Sequence, residues 1–227
     1  MCRSVPFCHL TPLPPRHVSS SANTQLKYLS PFATRKTLGC YKSPSCAHAT
    51  ACQVISKNAQ AKTAKVLDSL LTPVSANRYF RGVFFPSLTY SLPVNTIPEH
   101  KLAKLQSQTY RRFLPKLVYN RNMPTAVVHG SASLRGLDMC PLYDKQGASK
   151  IQHFLKHWRS QSEVSNLLRI SMMSWIQKYS GMGTPILQKP NLVLPRLARL
   201  PFISSMREFL SKINGRLVLD ENFAVPL

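Results

Sequence analysis

Charge balance constrains this chain more than any other feature: thirty Lys and Arg stand against eight Asp and Glu, a formal net charge of +22. A field that is positive throughout opposes compaction and draws polyanions, either nucleic acid or an anionic membrane surface. The 227 residues suffice for one ordinary domain, alone or with a disordered tail, and 44% apolar content is enough to fill a core. The expectation is a fold that gains stability from an acidic partner.

The first acidic residue is Asp68, and nine Lys and Arg precede it among many Ser, Thr, Ala and Pro. Residues 1–33 carry neither a helical nor a strand period and read as a disordered basic extension, with the ordered region over 34–227. An Arg- and Ser-containing, acid-free start is also the composition of a mitochondrial transit peptide. Pro6, Pro12, Pro14 and Pro15 spoil the amphipathic helix such a peptide needs. No window approaches the roughly 18 apolar residues of a membrane span, so no transmembrane segment is expected. Without a signal-peptide pattern, Cys2, Cys8, Cys40, Cys46, Cys52 and Cys140 read as reduced thiols in an intracellular compartment, nuclear or cytoplasmic, with mitochondrial as the alternative.

Past Asn58 the pattern is helical. Ala59 to Leu71 is rich in helix formers and is stopped by Pro73. Thr96-Ile97-Pro98-Glu99 reads as a capping box opening a helix whose apolar stripe is Leu102, Leu105, Thr109 and Phe113, ending near Pro115. Lys145 to Trp158 puts Ile151, Phe154, Leu155 and Trp158 on one face, with Lys145, Lys150 and Lys156 opposite. Val164, Leu167, Leu168, Met172, Trp175, Ile176 and Tyr179 continue that pattern to Gly181. A last helix opens at Ser205, buries Met206, Phe209, Leu210 and Ile213, and ends at Gly215. Val127-Val128-His129 and Leu217-Val218-Leu219 read as short strands. The expected fold class is mainly α, a helical bundle-like segment with at most two or three short strands.

Sites for metal or acid–base chemistry are poorly supported. Cys40, Cys46 and Cys52 recur every six residues, whereas zinc thiolates come in pairs two to four apart because one tight turn must aim both at the ion. His153 and His157 share a helix face, but Phe154 stands where the zincin motif needs Glu. Two-metal phosphoryl transfer needs several converging carboxylates. The only adjacent acids are Asp220 and Glu221, and Asp144 reads as a helix N-cap. No cofactor, no metal and no catalytic residue is expected, and the chain reads as a non-enzyme.

The positive signal is contact with nucleic acid. Lys101, Lys104, Gln108, Arg111 and Arg112 form a basic stripe beside the apolar one, which Tyr110, Lys116, Tyr119 and Arg121 extend. Such a surface neutralises phosphates by counterion release, with tyrosines for stacking, and few acids are present to balance it otherwise.

From about Thr34 the order of short segments resembles reverse-transcriptase reading frames of retroelements, in the region downstream of the polymerase palm. The segments are 35–45 (RKTLGCYKSPS), 85–94 (FPSLTYSLPV), Leu105-Gln106, 113–116 (FLPK) and 120–124 (NRNMP). They continue as 126–130 (AVVHG), 142–147 (LYDKQG), and the tail with Leu210, 213–215 (ING) and 217–220 (LVLD). The resemblance implies a truncated, thumb- or connection-like helical segment that holds template and primer. The paired aspartates would then lie on a separate polymerase palm, a further partner. Where such proteins tend to read Gly-Gly-Leu-Gly, this chain has Arg135-Gly136-Leu137-Asp138, two side chains at positions suited to positive φ. The functional expectation is a non-catalytic fragment with nonspecific binding of RNA or DNA. A mitochondrially imported basic RNA-associated protein and an anionic membrane-surface binder stand beside it as alternatives.

Overall fold

The computed structural model describes residues 30, 33–43, 45, 48–160, 162–172, 181, 186–194 and 201–219. Apart from Ser30 and Ala33, the basic extension expected over 1–33 lies outside them, as do Cys46, Trp175, Ile176, Tyr179, Asp220 and Glu221. The elements described below all belong to one compact unit, Pro31–Leu227. It is mainly α and bundle-like, with one two-stranded sheet.

That sheet is not where the sequence placed strands. β1 (Arg35–Thr37) pairs antiparallel with β2 (Cys40–Lys42), Thr37 opposite Cys40. Leu38 and Gly39 between them have φ of +48° and +82°, the two-residue turn whose twist suits a hairpin. Leu38 is held there in part by its carbonyl, which accepts from the Tyr90 hydroxyl at 3.1 Å. Leu-Gly lacks the Asn-Gly signal, so the hairpin left no mark in the pattern. Val127–His129 instead belongs to a short helix, α5 (Thr125–His129). Pro124 starts that helix: its carbonyl accepts from the N–H groups of Val127 and Val128 at 3.0 and 3.1 Å, which overrides the strand preference of paired valines. Leu217–Leu219 has no ladder, and the Leu217 N–H donates to the Leu187 carbonyl.

α1 (Ala49–Leu67) begins ten residues before the expected Ala59, because burial of Ala51 and Ile55 outweighs the weak start. It also ends at Leu67, four residues short of the expected Leu71, so Pro73 is not its stop; Pro73 opens α2 (Pro73–Tyr79), with the Thr72 hydroxyl accepting from the Ser75 N–H. α2 runs through one widened turn, Phe80–Phe84, into α3 (Phe85–Thr89). In that turn the Phe85 N–H reaches back five residues to the Phe80 carbonyl. Pro86 supplies the cause, since its ring would clash with the carbonyl four residues earlier in a regular helix. The extra residue also turns Phe80 and Phe84 inward, each with its ring centre 5.0 Å from that of Phe113.

α4 (Glu99–Lys116) packs across α1. Its N-cap position is Pro98, not Thr96; the Thr96 hydroxyl is taken by Lys150 at 2.8 Å. Buried Thr63 and Thr109 bond the carbonyls of Ala59 and Leu105, four residues back, at 2.7 and 2.8 Å, so small side chains let the two helices approach without stranding a hydroxyl. Ile55, Ala59, Phe80, Phe84, Leu102 and Phe113 belong to this first core.

α6 (Leu142–Arg159) links it to a second core built from Phe154, Trp158, Met172, Leu187, Met206 and Leu210. Asp144 lies within the first turn of α6, and the N-cap position is Pro141. The face assigned to solvent is partly internal: Lys150 is completely buried, its ammonium donating to Thr96 Oγ1 and to Ser205 Oγ at 2.7 Å. Beside it, the buried Gln146 amide pairs with both backbone groups of Ile97, at 3.1 and 3.0 Å. A Cβ on Gly147 would stand 2.2 Å from the Phe209 ring, so glycine sets the distance to α8 (Pro201–Lys212).

α7 (Glu163–Ile170) is rotated from its expected stripe: Val164 and Leu167 are exposed, while Ser165 and Arg169 are buried. The end of α6 explains the rotation. The Trp158 carbonyl lacks a helical partner there, and it accepts from the Ser165 hydroxyl and from two nitrogens of Arg169. α8 starts four residues before Ser205 and buries Met206, Phe209 and Leu210. Ile213 is exposed, because the chain leaves the helix at Lys212 and turns through Asn214 at φ +50°.

Candidate nucleic-acid interface

α4 offers two contrasting arcs. Leu102, Leu105, Thr109, Tyr110, Phe113 and Leu114 face the core, and Lys104, Gln108, Arg111 and Arg112 face outward. The residues from Ala49 to Leu137 hold twelve Lys and Arg against Asp68 and Glu99 alone. Glu99 is spoken for by Lys212 of α8, which also lies 4.6 Å over the Tyr143 ring. Lys104, Arg111, Arg112 and Arg121 thus stand exposed in a region almost free of carboxylates.

The other expected contacts have been drawn into the fold. The Lys101 ammonium lies 3.3 Å from Nε2 of His48 at the start of α1; burial first, then the Lys101 charge, holds the His48 pKa below its ordinary value. Lys116 reaches back to the Ser69 carbonyl at 2.5 Å and ties the end of α4 to the segment after α1. Tyr110 is buried, with its hydroxyl donating to the Cys140 carbonyl at 3.2 Å, so its ring offers little surface for stacking. Tyr119 is 40% exposed and keeps a free face.

Two grooves flank the arginines. The first, about 240 Å³, runs between α1 and α4 over a floor of Thr63, Leu105 and Thr109, with Gln60 and Gln108 on its walls and Arg111, Arg112 and Arg121 along it. The second, about 420 Å³, lies between α4 and residues 121–128. Tyr110, Leu114 and Val128 line its inner side, and Ser107, Asn122 and Thr125 its polar margin. Arg111 and Arg121 line both grooves and so stand between them. Gln60, Thr63 and the 121–128 wall carry no signal in the sequence, since they meet α4 only through tertiary packing.

Hydrogen bonds fix the second wall. The Asn120 side chain accepts from the Asn122 N–H at 2.8 Å, and its carbonyl accepts from Met123. On the far side, Gln106 Oε1 accepts from the Leu142 N–H at 2.7 Å, which leaves its amide nitrogen to face His129 Nε2 at 2.8 Å. His129 Nδ1 then carries the proton and donates to the Met139 carbonyl. The next loop is held by left-handed residues without glycine: Arg135 at φ +60° and Asp138 at +51°. Gly136 between them is required for space, because a Cβ would meet the Gly130 carbonyl oxygen at 2.1 Å.

Other chemistry-bearing residues are dispersed. The His153 and His157 ring centres are 4.5 Å apart, with His153 exposed, but no group of three or more His, Cys, Asp or Glu that could hold a metal occurs among the described residues. Cys40, Cys52 and Cys140 are free thiols, and desolvation followed by the Asp144 charge raises the Cys140 pKa. Among the described residues no helix is long and apolar enough to cross a membrane. No family model, no curated protein and no solved structure matches the chain.

Proposed function

We propose that this chain binds nucleic acid without sequence preference, as a non-catalytic helical segment of a retroelement-type reverse transcriptase whose palm lies outside these residues. The observation that supports this reading is the groove between α1 and α4, along which Arg111, Arg112 and Arg121 stand with no carboxylate among the lining residues. Guanidinium forks suit phosphate oxygens, and the first-groove lining adds the neutral donors Gln60 and Gln108. Lys104 extends the positive face along α4. Lys101 and Lys116 act as packing cations in this reading.

A salt titration tests it. Each phosphate contact to a single strand contributes a slope of about −0.7 in log affinity against log salt. Replacing Lys104, Arg111 and Arg112 with Gln should therefore flatten the slope by about two units while leaving the buried arc of α4 in place. Identical slopes for the parent and the triple variant would remove the interface, and binding to anionic vesicles but not to oligonucleotides would transfer the charge to a membrane role. Purified protein should extend no primed template in Mg²⁺ or Mn²⁺; incorporation that survives repurification would overturn the non-catalytic assignment.

A further inference from the structure

Resting on the nucleic-acid reading, we propose that the groove between α4 and residues 121–128 receives one unstacked base of a single strand whose phosphates lie on Arg111 and Arg121. The two grooves differ in chemistry. The α1–α4 groove is lined by cations and amides, suited to a sugar–phosphate backbone. The second presents apolar and polar surface in nearly equal parts, with the nearly buried Tyr110, Leu114 and Val128 at its inner side and hydroxyl and amide groups at its margin. At about 420 Å³ it falls within the roughly 300–1,000 Å³ of small-ligand sites. A slot of mixed lining beside a pair of guanidinium groups matches a nucleotide, whose base has apolar faces and polar edges, with the phosphate at the mouth.

The margin accounts for low selectivity. Ser107 and Thr125 hydroxyls and the Asn122 amide each offer both a donor and an acceptor, so any base edge finds partners. Gln106, which also lines the groove, has its amide committed to Leu142 and His129 and serves to fix the wall. A duplex cannot use the slot without losing a base pair, so the site favours single strands. The Asn120 turn and the Gln106–His129 tether build the slot before the ligand arrives, which lowers the ordering cost of binding.

The test compares a short single-stranded oligonucleotide with an abasic strand of the same length and charge, both titrated against the full chain. The base-bearing strand should bind about tenfold tighter at fixed salt, with equal salt slopes, because the phosphate contacts are shared. A duplex of the same length should show no such gain. Ser107→Trp and, from the opposite wall, Thr125→Trp replace exposed residues and fill the slot without altering charge. Each should lower affinity for the base-bearing strand to that of the abasic one and leave the abasic strand unaffected. Equal affinity of the two parent strands would overturn the base slot while leaving the phosphate surface standing. Failure of both strands to bind would overturn both readings.

Discussion

The cations of α4 and those of the C-terminal helices are the same residue types in opposite situations. Lys104, Arg111 and Arg112 stand in solvent, while Lys150, Arg169 and Arg207 are buried. The buried three donate to uncharged oxygens. Lys150 donates to two hydroxyls, Arg169 to the Trp158 carbonyl, and Arg207 to the carbonyls of Ile186, Pro190 and Leu192. Neither Lys150 nor Arg207 forms a salt bridge among the described residues, and burial holds the pKa of each below its ordinary value. In a chain with eight acids, internal cations must be satisfied largely by backbone oxygens and hydroxyls, so the C-terminal helices use them as staples and α4 leaves them in solvent. Removing a cation should therefore affect stability in one region and binding in the other.

The largest expected effect is at Arg207. Met in its place leaves three carbonyls without their donor and should cost about 3 kcal/mol, read as a lower urea midpoint. A loss below about 0.5 kcal/mol, the range of neutral surface changes, would show that solvent satisfies those carbonyls.

Next come two glycines that report packing, Gly147 on α6 and Gly82 in the widened turn Phe80–Phe84. Ala at Gly147 drives a methyl into Phe209; overpacking less the gain in helix propensity leaves a cost of about 2 kcal/mol. Ala at Gly82 meets nothing within 4 Å and should stabilise by up to about 1 kcal/mol. Equal effects at the two sites, in thermal melts of both variants, would contradict the close approach of α6 and α8.

Lys150 sets a pH dependence. Desolvation lowers its pKa from 10.5 to about 8, partly opposed by the charge of Glu208. Between those values the unfolded chain binds the extra proton, so stability rises with pH through that window and falls as pH drops toward 8. Lys150→Met should abolish this rise, and a parent-like slope in the variant would assign it to another group. The smallest effect is expected on α4, where the triple Gln variant should shift stability by less than about 0.5 kcal/mol while changing the salt slope. A large loss of stability there would mean that these side chains are structural.

The helices of both regions were legible to different degrees for the same reason. α4 shows in the sequence because its stripe is apolar on one arc and charged on the other, so period alone orients it. α6 conceals its orientation, since Gln146, Gly147 and Lys150 are polar or small and yet point inward. Polar residues are buried only where partners exist, and those partners are Ile97, Phe209, Thr96 and Ser205, distant in the chain. Ser165 and Arg169 rotated α7 in the same manner, through a carbonyl that belongs to α6.

The amino-acid sequence by itself determined the mainly helical class, the outward basic arc of α4 and the need to place thirty cations against eight acids. These follow from periodicity and composition, which are properties of neighbouring residues. Tertiary structure alone decided the Leu38-Gly39 hairpin, the helix at Thr125–His129, and the division of cations into staples and free charges. It also set two grooves side by side at Arg111 and Arg121. Each of these depends on which distant donor or acceptor comes within hydrogen-bond reach, or which surfaces meet, and local pattern does not encode either.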